Sequence, residues 1–261
     1  MIEGGFMKTS KLWMIYTLAI AFICIFLSSG VFAQKTIVVA FDGDWPPMKM
    51  KDAQGNIIGY EMDMIKAIGA EAGFQVSIIE VPWENIFEGL NAGKFDAIMA
   101  SVSITDQRKE KFDFTLPYFS AEQLLVVPKS LVVKSFEGKT IAAFEATTGA
   151  AALKKSELVA KRFYPVADTE RPFKDMAEGK IDGVICDTPV AINYAFLKDA
   201  YKGKFAIVSE QSVLGKPSGK EEYGIVVKKG NTEVLDLFNN GIKTVNAKNI
   251  DTGIKAKWIK W

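Results

Sequence analysis

The stretch GYEMDMIKAIGAEAG, residues 59–73, has the apolar spacing of an amphipathic helix. Ile65, Ile68 and Ala72 recur at positions i, i+3 and i+7, which places them on one helical face. Apolar runs rich in β-branched residues precede and follow this helix, and such runs are typical of buried strands. A strand, a helix and a second strand in this order predict a parallel pair, because the helix carries the chain back to the starting edge.

The same alternation continues on the C-terminal side of this unit. A second helix and a third strand follow, so the first part of the chain has a βαβαβ order that predicts a parallel sheet with right-handed crossovers. The predicted strands are TIVVAF (36–41), QVSIIEV (75–81) and FDAIMAS (95–101), and the second helix is WENIFEGLNAG (83–93).

A second α/β unit lies between two extended segments, AEQLLVVPK (121–129) and EEYGIVVKKG (221–230), and two amphipathic helices, 231–246 and 250–260, close the chain. Two such units predict two lobes with a cleft between them, where ligands lie at the carboxyl ends of the strands. The second unit comprises the strands KTIAAF (139–144), RFYPV (162–166), IDGVICD (181–187) and KFAIVS (204–209), and helices over 149–162, 170–178 and 188–199.

The composition is that of a globular protein without a strong charge bias. Of 261 residues, 49% are hydrophobic and 24% are charged, and 32 Lys plus Arg balance 31 Asp plus Glu. This balance gives no basic surface for nucleic acid. The chain contains no histidine, the commonest acid–base group of enzymes. We expect neither a metal nor another cofactor.

The first 33 residues have the features of a secretory signal. Two lysines precede the uncharged apolar run WMIYTLAIAFICIFL (13–27), and Val31 and Ala33 occupy the −3 and −1 positions of a signal-peptidase site. We therefore predict cleavage after Ala33 and a periplasmic location; an uncleaved membrane anchor is the alternative. The remaining chain has one cysteine, Cys186, so no internal disulfide is expected.

A single arginine follows a run of small hydroxyl residues in SVSITDQRKEKFDF (101–114). Thr105 and the aspartate after it are typical of a helix start, where free N–H groups and the helix dipole attract negative charge. Arg108 falls in that first turn, after Ser101 and Ser103. Either Arg108 reaches solvent on a charged helix, or the serines, the helix start and the guanidinium together bind an anion.

Four motifs resemble those of the family 3 extracellular solute-binding proteins, the amino-acid receptors of ABC importers. Their order and spacing follow the family over the whole chain after Ala33. Ala146 stands where the family has a glycine before two threonines. The motifs are GYEMDMIKAIGAEA (59–72), SVSITDQRKEKFDFTLPY (101–118), EATTGAAA (145–152) and DGVICDTP (182–189).

The resemblance implies a two-lobed periplasmic-binding-protein fold of type II, in which each lobe is a mainly parallel sheet flanked by helices. Segments 122–128 and 222–228 would cross between the lobes as hinge strands, and one amino acid would lie in the cleft. The return of the C-terminal helices to lobe 1 is implied by the resemblance alone. The implied boundaries are 1–33 for the signal, 34–122 and 223–261 for lobe 1, and 123–222 for lobe 2.

The resemblance also implies how the main-chain end of the amino acid is bound. Arg108, with Ser101 and Ser103, would bind the α-carboxylate. Thr147 and Thr148 would clamp the same group from the opposite lobe; an ordinary helix cap is the other interpretation of this pair.

Asp187 is the aspartate of the second-lobe motif, and the resemblance implies that it accepts the α-ammonium. The alternative is an N-cap, because Asp187 ends a strand and opens a helix with Pro189 in its first turn. Cys186 beside it is interpreted as a buried small side chain rather than a nucleophile.

The resemblance also implies that Asp42, Trp45 and Trp83 meet the ligand side chain at the side-chain end of the cleft, and we expect Phe144 as a further wall. The alternative for each of the two tryptophans is core packing. No lysine or arginine occurs among these residues, so we expect a basic or amide-bearing side chain that pairs with Asp42 and packs on the indoles.

These features predict a non-catalytic, monomeric receptor that delivers an L-amino acid to the permease of an ABC importer. One alternative is an exported enzyme on the same scaffold, resembling the cyclohexadienyl dehydratases; no additional carboxylic acid follows Asp187 to act as its general acid. Another is a sensor ectodomain, which would need the first segment to remain as an anchor.

Overall fold

The computed structural model of the protein describes residues 34–131, 136–157, 160–215 and 218–260. The predicted signal segment, 1–33, lies outside the described residues. Within them, no helix has both the length and the apolarity needed to cross a membrane.

Thirteen strands occur in the described ranges. They are β1 (Thr36–Phe41), β2 (Met50–Lys51), β3 (Ile57–Ile58), β4 (Gln75–Glu80), β5 (Ala97–Ile98), β6 (Phe112–Phe114), β7 (Phe119–Pro128), β8 (Thr140–Phe144), β9 (Ala160–Tyr164), β10 (Gly183–Asp187), β11 (Phe205–Val208), β12 (Lys220–Tyr223) and β13 (Val226–Lys228).

The α-helices of these ranges lie between and after the strands. They are α1 (Tyr60–Ala72), α2 (Trp83–Asn91), α3 (Asp106–Lys109), α4 (Thr148–Lys155), α5 (Arg171–Ala177), α6 (Thr188–Ile192), α7 (Gln211–Leu214), α8 (Thr232–Ala247) and α9 (Ile250–Trp258). A π-helical turn, Asn193–Leu197, continues α6, and short 3-10 turns cover Val166–Asp168 and Asp199–Tyr201.

The first sheet has the strand order β4-β1-β5-β13-β6. β1 pairs in parallel with both β4 and β5, as the βαβαβ pattern predicts. β13 enters from the far end of the sequence and pairs antiparallel with β5 and β6. The C-terminal part of the chain therefore completes the sheet that the N-terminal part begins.

The C-terminal helices also pack on this first sheet unit. α8 approaches α1 so closely that a Cβ at Gly241 would lie 2.6 Å from the carbonyl oxygen of Ile68. α9 is held to the same helix by Trp258, whose indole N–H donates to Asp63 at 2.7 Å. Both C-terminal helices therefore contact α1.

The second sheet has the order β11-β7-β10-β8-β9, with β12 paired to β7 off this path. β8 pairs in parallel with β9 and β10, whereas β7 is antiparallel to β10 and β11. The first residues of β7, Phe119–Glu122, pair with β12, and its later residues pair with β10 and β11. β7 and β12 are therefore the paired strands that connect the two sheets.

Several elements are shorter than predicted, and two of them change the local structure. The helix predicted over 149–162 ends at Lys155, because Ser156 turns to extended backbone and residues 160–164 form β9 beside β8. Residues 158–159 of that prediction lie outside the described residues. The strand predicted over 95–101 pairs only at Ala97–Ile98 and becomes a loop that carries Ser101 and Ser103.

The start of α1 is fixed against the loop before β2. Gly59 has φ 138°, and a Cβ there would lie 2.4 Å from the carbonyl oxygen of Met48. The N–H of Glu61 donates to that same carbonyl at 2.8 Å. Only glycine fits this approach, which places Glu61 beside Lys49.

Candidate ligand-binding cleft

A cavity lies at the carboxyl ends of strands from both sheets, and its empty volume, which includes space open to solvent, is about 310 Å³. Every side chain assigned to the ligand from the sequence lines this cavity except Phe144. Ala100 and Val166 also line it. Sequence reasoning did not identify these two residues, because both are uncharged and neither belongs to one of the four motifs.

Arg108 lies in the single turn of α3, which Thr105 caps by accepting the backbone N–H of Arg108 at 3.2 Å. The guanidinium donates through Nη1 to the carbonyl of Ser103 at 2.8 Å and through Nη2 to that of Ala146 at 3.5 Å. It lies 5.8 Å from the centre of the Trp83 ring. Because a guanidinium has five N–H donors, these contacts leave donors available to an anion in the cavity.

Thr147 is a helix cap as well as a cavity residue. Its Oγ1 accepts the N–H of Ala150 at 3.1 Å and donates to the carbonyl of Phe144 at 2.7 Å. The cap interpretation is therefore confirmed for Thr147. The N–H groups of the first turn of α4 are the donors that this element can present to an anion.

Ala146, before Thr147, lies in the left-handed region with φ 56°. A non-glycine residue there carries roughly 1–2 kcal/mol of strain. We predict that Ala146→Gly raises the free energy of unfolding by about 0.5–1 kcal/mol, because the relief of strain exceeds the added entropy of the unfolded chain. Urea denaturation of both proteins measures this, and Ala151→Gly inside α4 is a control that should destabilise instead.

Asp187 ends β10 and is buried, yet it makes no capping hydrogen bond to α6. Asp187 therefore occupies the N-cap position of α6, as the alternative interpretation predicts, but its side chain does not cap the helix. One carboxylate oxygen accepts from Nε2 of Gln123, and the other accepts from the hydroxyl of Tyr223. Burial raises the pKa of Asp187 to about 6, and the nearby Glu221 carboxylate adds to this.

Glu221, on β12, contacts two of the cavity-lining residues, and sequence reasoning missed it. Its Oε2 accepts from the Ser103 hydroxyl at 2.6 Å and from the Thr148 hydroxyl at 2.9 Å. It thus bridges residues that belong to different sheets. Alternation along β12 was the available signal, because Glu221 shares a strand face with the buried Tyr223 while Glu222 is exposed.

The bridge to Glu221 decides which way the cleft hydroxyls point. A hydroxyl has one proton, so a hydroxyl that donates to Glu221 can only accept from a ligand. Thr148 Oγ1 additionally accepts from Nε2 of Gln123 at 3.1 Å. The hydroxyls of Ser103 and Thr148 are therefore acceptors on their cavity side, contrary to the donor role assigned to them for a carboxylate.

Ser101 also differs from its assigned role. Both its N–H and its hydroxyl donate to Glu61 Oε1, at 2.7 and 3.0 Å. Its φ of 52° lies in the left-handed region. Ser101 therefore orders the loop beside the cavity, and its proton is not free for an anion.

The side-chain end contains a buried lysine that sequence reasoning did not connect with it. Lys49 is 1% exposed, and its Nζ lies 2.9 Å from Asp42 Oδ1 and 3.6 Å from Glu61 Oε2. Asp42 lines the cavity. Asp42 is therefore half of an ion pair, although no lysine or arginine occurs among the residues assigned to this end from the sequence.

Trp45 and Phe144 meet across the two sheet units. Their ring centres are 5.1 Å apart at 72°, an edge-to-face contact. Phe144 is fully buried and supports Trp45 from behind rather than lining the cavity. The hydroxyl of Thr169 also donates to the carbonyl of Asp44, which adds a second contact between the units.

We searched the described residues for clusters of side chains that could bind a metal ion. No group of three or more Asp, Glu, Cys or His side chains is placed there to hold a metal ion. Cys186 is buried, and burial raises the pKa of its thiol well above the ordinary value. This fits the packing role expected for it.

Comparison with known proteins gives consistent results. Residues 37–260 match the family model described as bacterial extracellular solute-binding proteins, family 3. The L-arginine-binding protein of Pseudomonas aeruginosa is 28% identical over 238 residues, covering 88% of this chain and 90% of its own length. The histidine-binding periplasmic protein of Salmonella typhimurium is 27% identical over 253 residues, covering 91% and 92%.

Among solved structures, an ancestral arginine-binding protein bound to glutamine superposes with a TM-score of 0.76. It is 30% identical, and the match covers 87% of this chain and 99% of that one. The predicted type II periplasmic-binding-protein fold is confirmed by such neighbours.

Proposed function

Because the chain belongs to the bacterial extracellular solute-binding proteins of family 3, we propose that it is a non-catalytic, extracytoplasmic receptor for an L-amino acid. The receptor delivers this ligand to the permease of an ABC importer and acts as a monomer in the periplasm. One observation carries the proposal: Arg108 and Asp187, of opposite charge, line a single cavity from different sheets. An amino acid presents a carboxylate and an ammonium that match this pair.

The α-carboxylate binds Arg108 and the first turn of α4. The guanidinium retains free N–H donors, and a bidentate fork matches a carboxylate in geometry. The α4 turn adds backbone N–H groups near its capped end. Ser101 and the hydroxyls of Ser103 and Thr148 do not donate here, because their protons are engaged elsewhere.

The α-ammonium binds Asp187 together with the hydroxyl oxygen of Ser103. Asp187 is anionic above pH about 6, and Ser103 is left as an acceptor by its bond to Glu221. Three N–H donors of an ammonium suit several acceptors in one place. Glu221 thus orients the ammonium side of the cleft through Ser103.

The ligand side chain is polar or basic and lies between Trp45 and Trp83 near Asp42. Aromatic faces and a carboxylate suit cations and N–H donors. The named relatives fit this class, since they include an arginine-binding and a histidine-binding protein and an ancestral protein bound to glutamine.

Closure of two lobes about the strands that connect the sheets belongs to the same proposal. Lobe 1 would carry Arg108 and lobe 2 would carry Asp187. The paired segments 119–122 and 220–223 are better candidates for the hinge than 122–128 and 222–228, because pairing changes from β12 to β10 and β11 after Glu122.

Calorimetric titration of the purified protein with the twenty L-amino acids tests the function. We expect a micromolar or tighter dissociation constant for at least one polar or basic amino acid. No binding to any of them would refute the receptor, and tighter binding of glutamate or aspartate than of arginine, lysine and glutamine would refute the side-chain class. Incubation with a cyclohexadienyl acid should release no aromatic product; turnover would favour the enzyme alternative.

Glu221 gives a prediction about the ammonium side. Glu221→Leu removes the acceptor of two hydroxyls and is expected to weaken amino-acid binding by about 1–2 kcal/mol. Glu221→Gln keeps an acceptor oxygen and should lose less. The preference for an amino acid over its α-hydroxy analogue should fall in Glu221→Leu, since Ser103 becomes free to donate.

The matched control is Glu222→Leu on the same strand. Glu222 is exposed and its side chain pairs only loosely with Lys220, at 3.8 Å. The Glu222→Leu protein should bind the amino acid with wild-type affinity. An unchanged analogue preference in Glu221→Leu would contradict the orienting role.

A further inference from the structure

Lys49 is a buried cation at the side-chain end of the cavity that the receptor proposal does not use. Its whole side chain is 1% exposed, and both of its carboxylate partners, Asp42 and Glu61, are buried as well. Two anions and one cation therefore share a site screened from water. Buried charges of this kind act strongly on any further charge brought beside them.

The members of this cluster are not equivalent. Glu61 Oε1 is occupied by the Ser101 N–H, the Ser101 hydroxyl and the Tyr118 hydroxyl. Asp42 lines the cavity, whereas Lys49 and Glu61 do not. Lys49 therefore makes no direct contact with a ligand in the cavity, and it acts on the ligand through its charge and through its ion pair with Asp42.

Lys49 remains charged in this position. Burial favours the neutral amine, but the adjacent Asp42 and Glu61 carboxylates outweigh burial and raise the pKa of Lys49. A cationic ligand group that approaches Asp42 meets a second cation 2.9 Å behind the same carboxylate. A neutral N–H donor gains a hydrogen bond from Asp42 without that repulsion.

We propose that Lys49 is a specificity-determining residue, which holds Asp42 in an ion pair and thereby lowers the preference of the cleft for cationic over neutral, N–H-donating side chains. This inference rests on the proposed amino-acid receptor. We therefore expect amino acids with uncharged amide or imidazole side chains to compete for this site with those that carry guanidinium or ammonium groups.

The test compares two proteins that differ only at Lys49. Lys49→Met alone would leave two buried carboxylates without a cation, so the reference is Glu61→Gln, whose amide oxygen still accepts from Ser101 and Tyr118. Glu61→Gln is compared with Glu61→Gln/Lys49→Met by calorimetric titration with arginine and with glutamine. Lys49→Gln in the same background keeps an N–H donor for Asp42 and serves as the second variant.

Removing Lys49 should raise the ratio of arginine to glutamine affinity by about tenfold or more, because a like charge near the ligand disappears. Lys51→Met is the control: Lys51 is exposed, pairs with Glu80 at 2.9 Å and should leave the ratio unchanged. A ratio that changes by less than about twofold in both Lys49 variants would overturn the inference. If the wild type binds no amino acid, the receptor proposal itself fails, which is a different result.

Discussion

Arg108→Ala is expected to weaken amino-acid binding by about 2–5 kcal/mol, because it removes a charge-assisted partner of the α-carboxylate inside a cleft. The ligand carboxylate would then be desolvated with only the α4 turn to receive it. Arg108→Lys should also weaken binding, since an ammonium lacks the planar fork of a guanidinium. Calorimetric titration with the best ligand measures both losses.

The fold should survive this substitution. Thr105 caps α3 through the backbone N–H of residue 108, which alanine retains. The guanidinium contacts are with two backbone carbonyls and with the faces of Trp83 and Phe87. Lys109→Ala, one residue along and exposed, is the matched control and should bind normally. Unchanged affinity in a folded Arg108→Ala protein would remove Arg108 from the site.

Periodicity explains why most of the fold was predictable. The i, i+3, i+7 spacing of Ile65, Ile68 and Ala72 predicts α1 almost to its ends, and α1 runs over Tyr60–Ala72. Short elements were not predictable in the same way. β6, Phe112–Phe114, pairs with β13 more than a hundred residues later, and its three residues are too few for their apolar–polar alternation to predict a strand.

Site residues that are close in the sequence were also predictable, whereas contacts between residues far apart in the sequence were not. Arg108, Ser103 and Thr105 lie within one short stretch, so their common location follows from the chain itself. Glu221 reaches Ser103 across a separation of 118 residues, and although alternation along β12 indicates an inward-facing Glu221, no local pattern identifies Ser103 as its partner. The contact between Glu221 and Ser103 depends on the pairing of β12 with β7, which connects the two sheets.

Lys49 shows a different limit of sequence reasoning. It lies near Asp42 in the chain, but its neighbours in KMK (49–51) resemble a solvated loop. Its burial depends on Gly59, whose close approach to Met48 brings Glu61 against the same loop. The burial of such a charged side chain depends on how distant segments of the backbone pack, and the residues next to it in the sequence do not indicate this.

Asp187→Asn is expected to weaken binding by about 2–5 kcal/mol and to remove a pH dependence, because the anion that receives the α-ammonium is lost. In the wild type, burial raises the pKa of Asp187 to about 6, and Glu221 contributes while Tyr223, Gln123 and Arg108 oppose it. The ionised form binds the ammonium. Affinity should therefore be constant above this pKa and fall by up to about tenfold for each pH unit below it.

Asp187→Asn distinguishes the pH dependence caused by Asp187 from that caused by other carboxylates near the cavity. Asparagine keeps the shape and an acceptor oxygen for Gln123 or Tyr223, but it does not titrate. Any slope that persists in Asp187→Asn must come from another group, such as Asp42. The unliganded variant should unfold at the same or a higher denaturant concentration, because a raised carboxyl pKa means that burial of the charge disfavours the folded state. Titrations at several pH values, with urea denaturation alongside, measure both properties. A wild type and an Asp187→Asn protein with parallel pH profiles would show that the α-ammonium is received elsewhere.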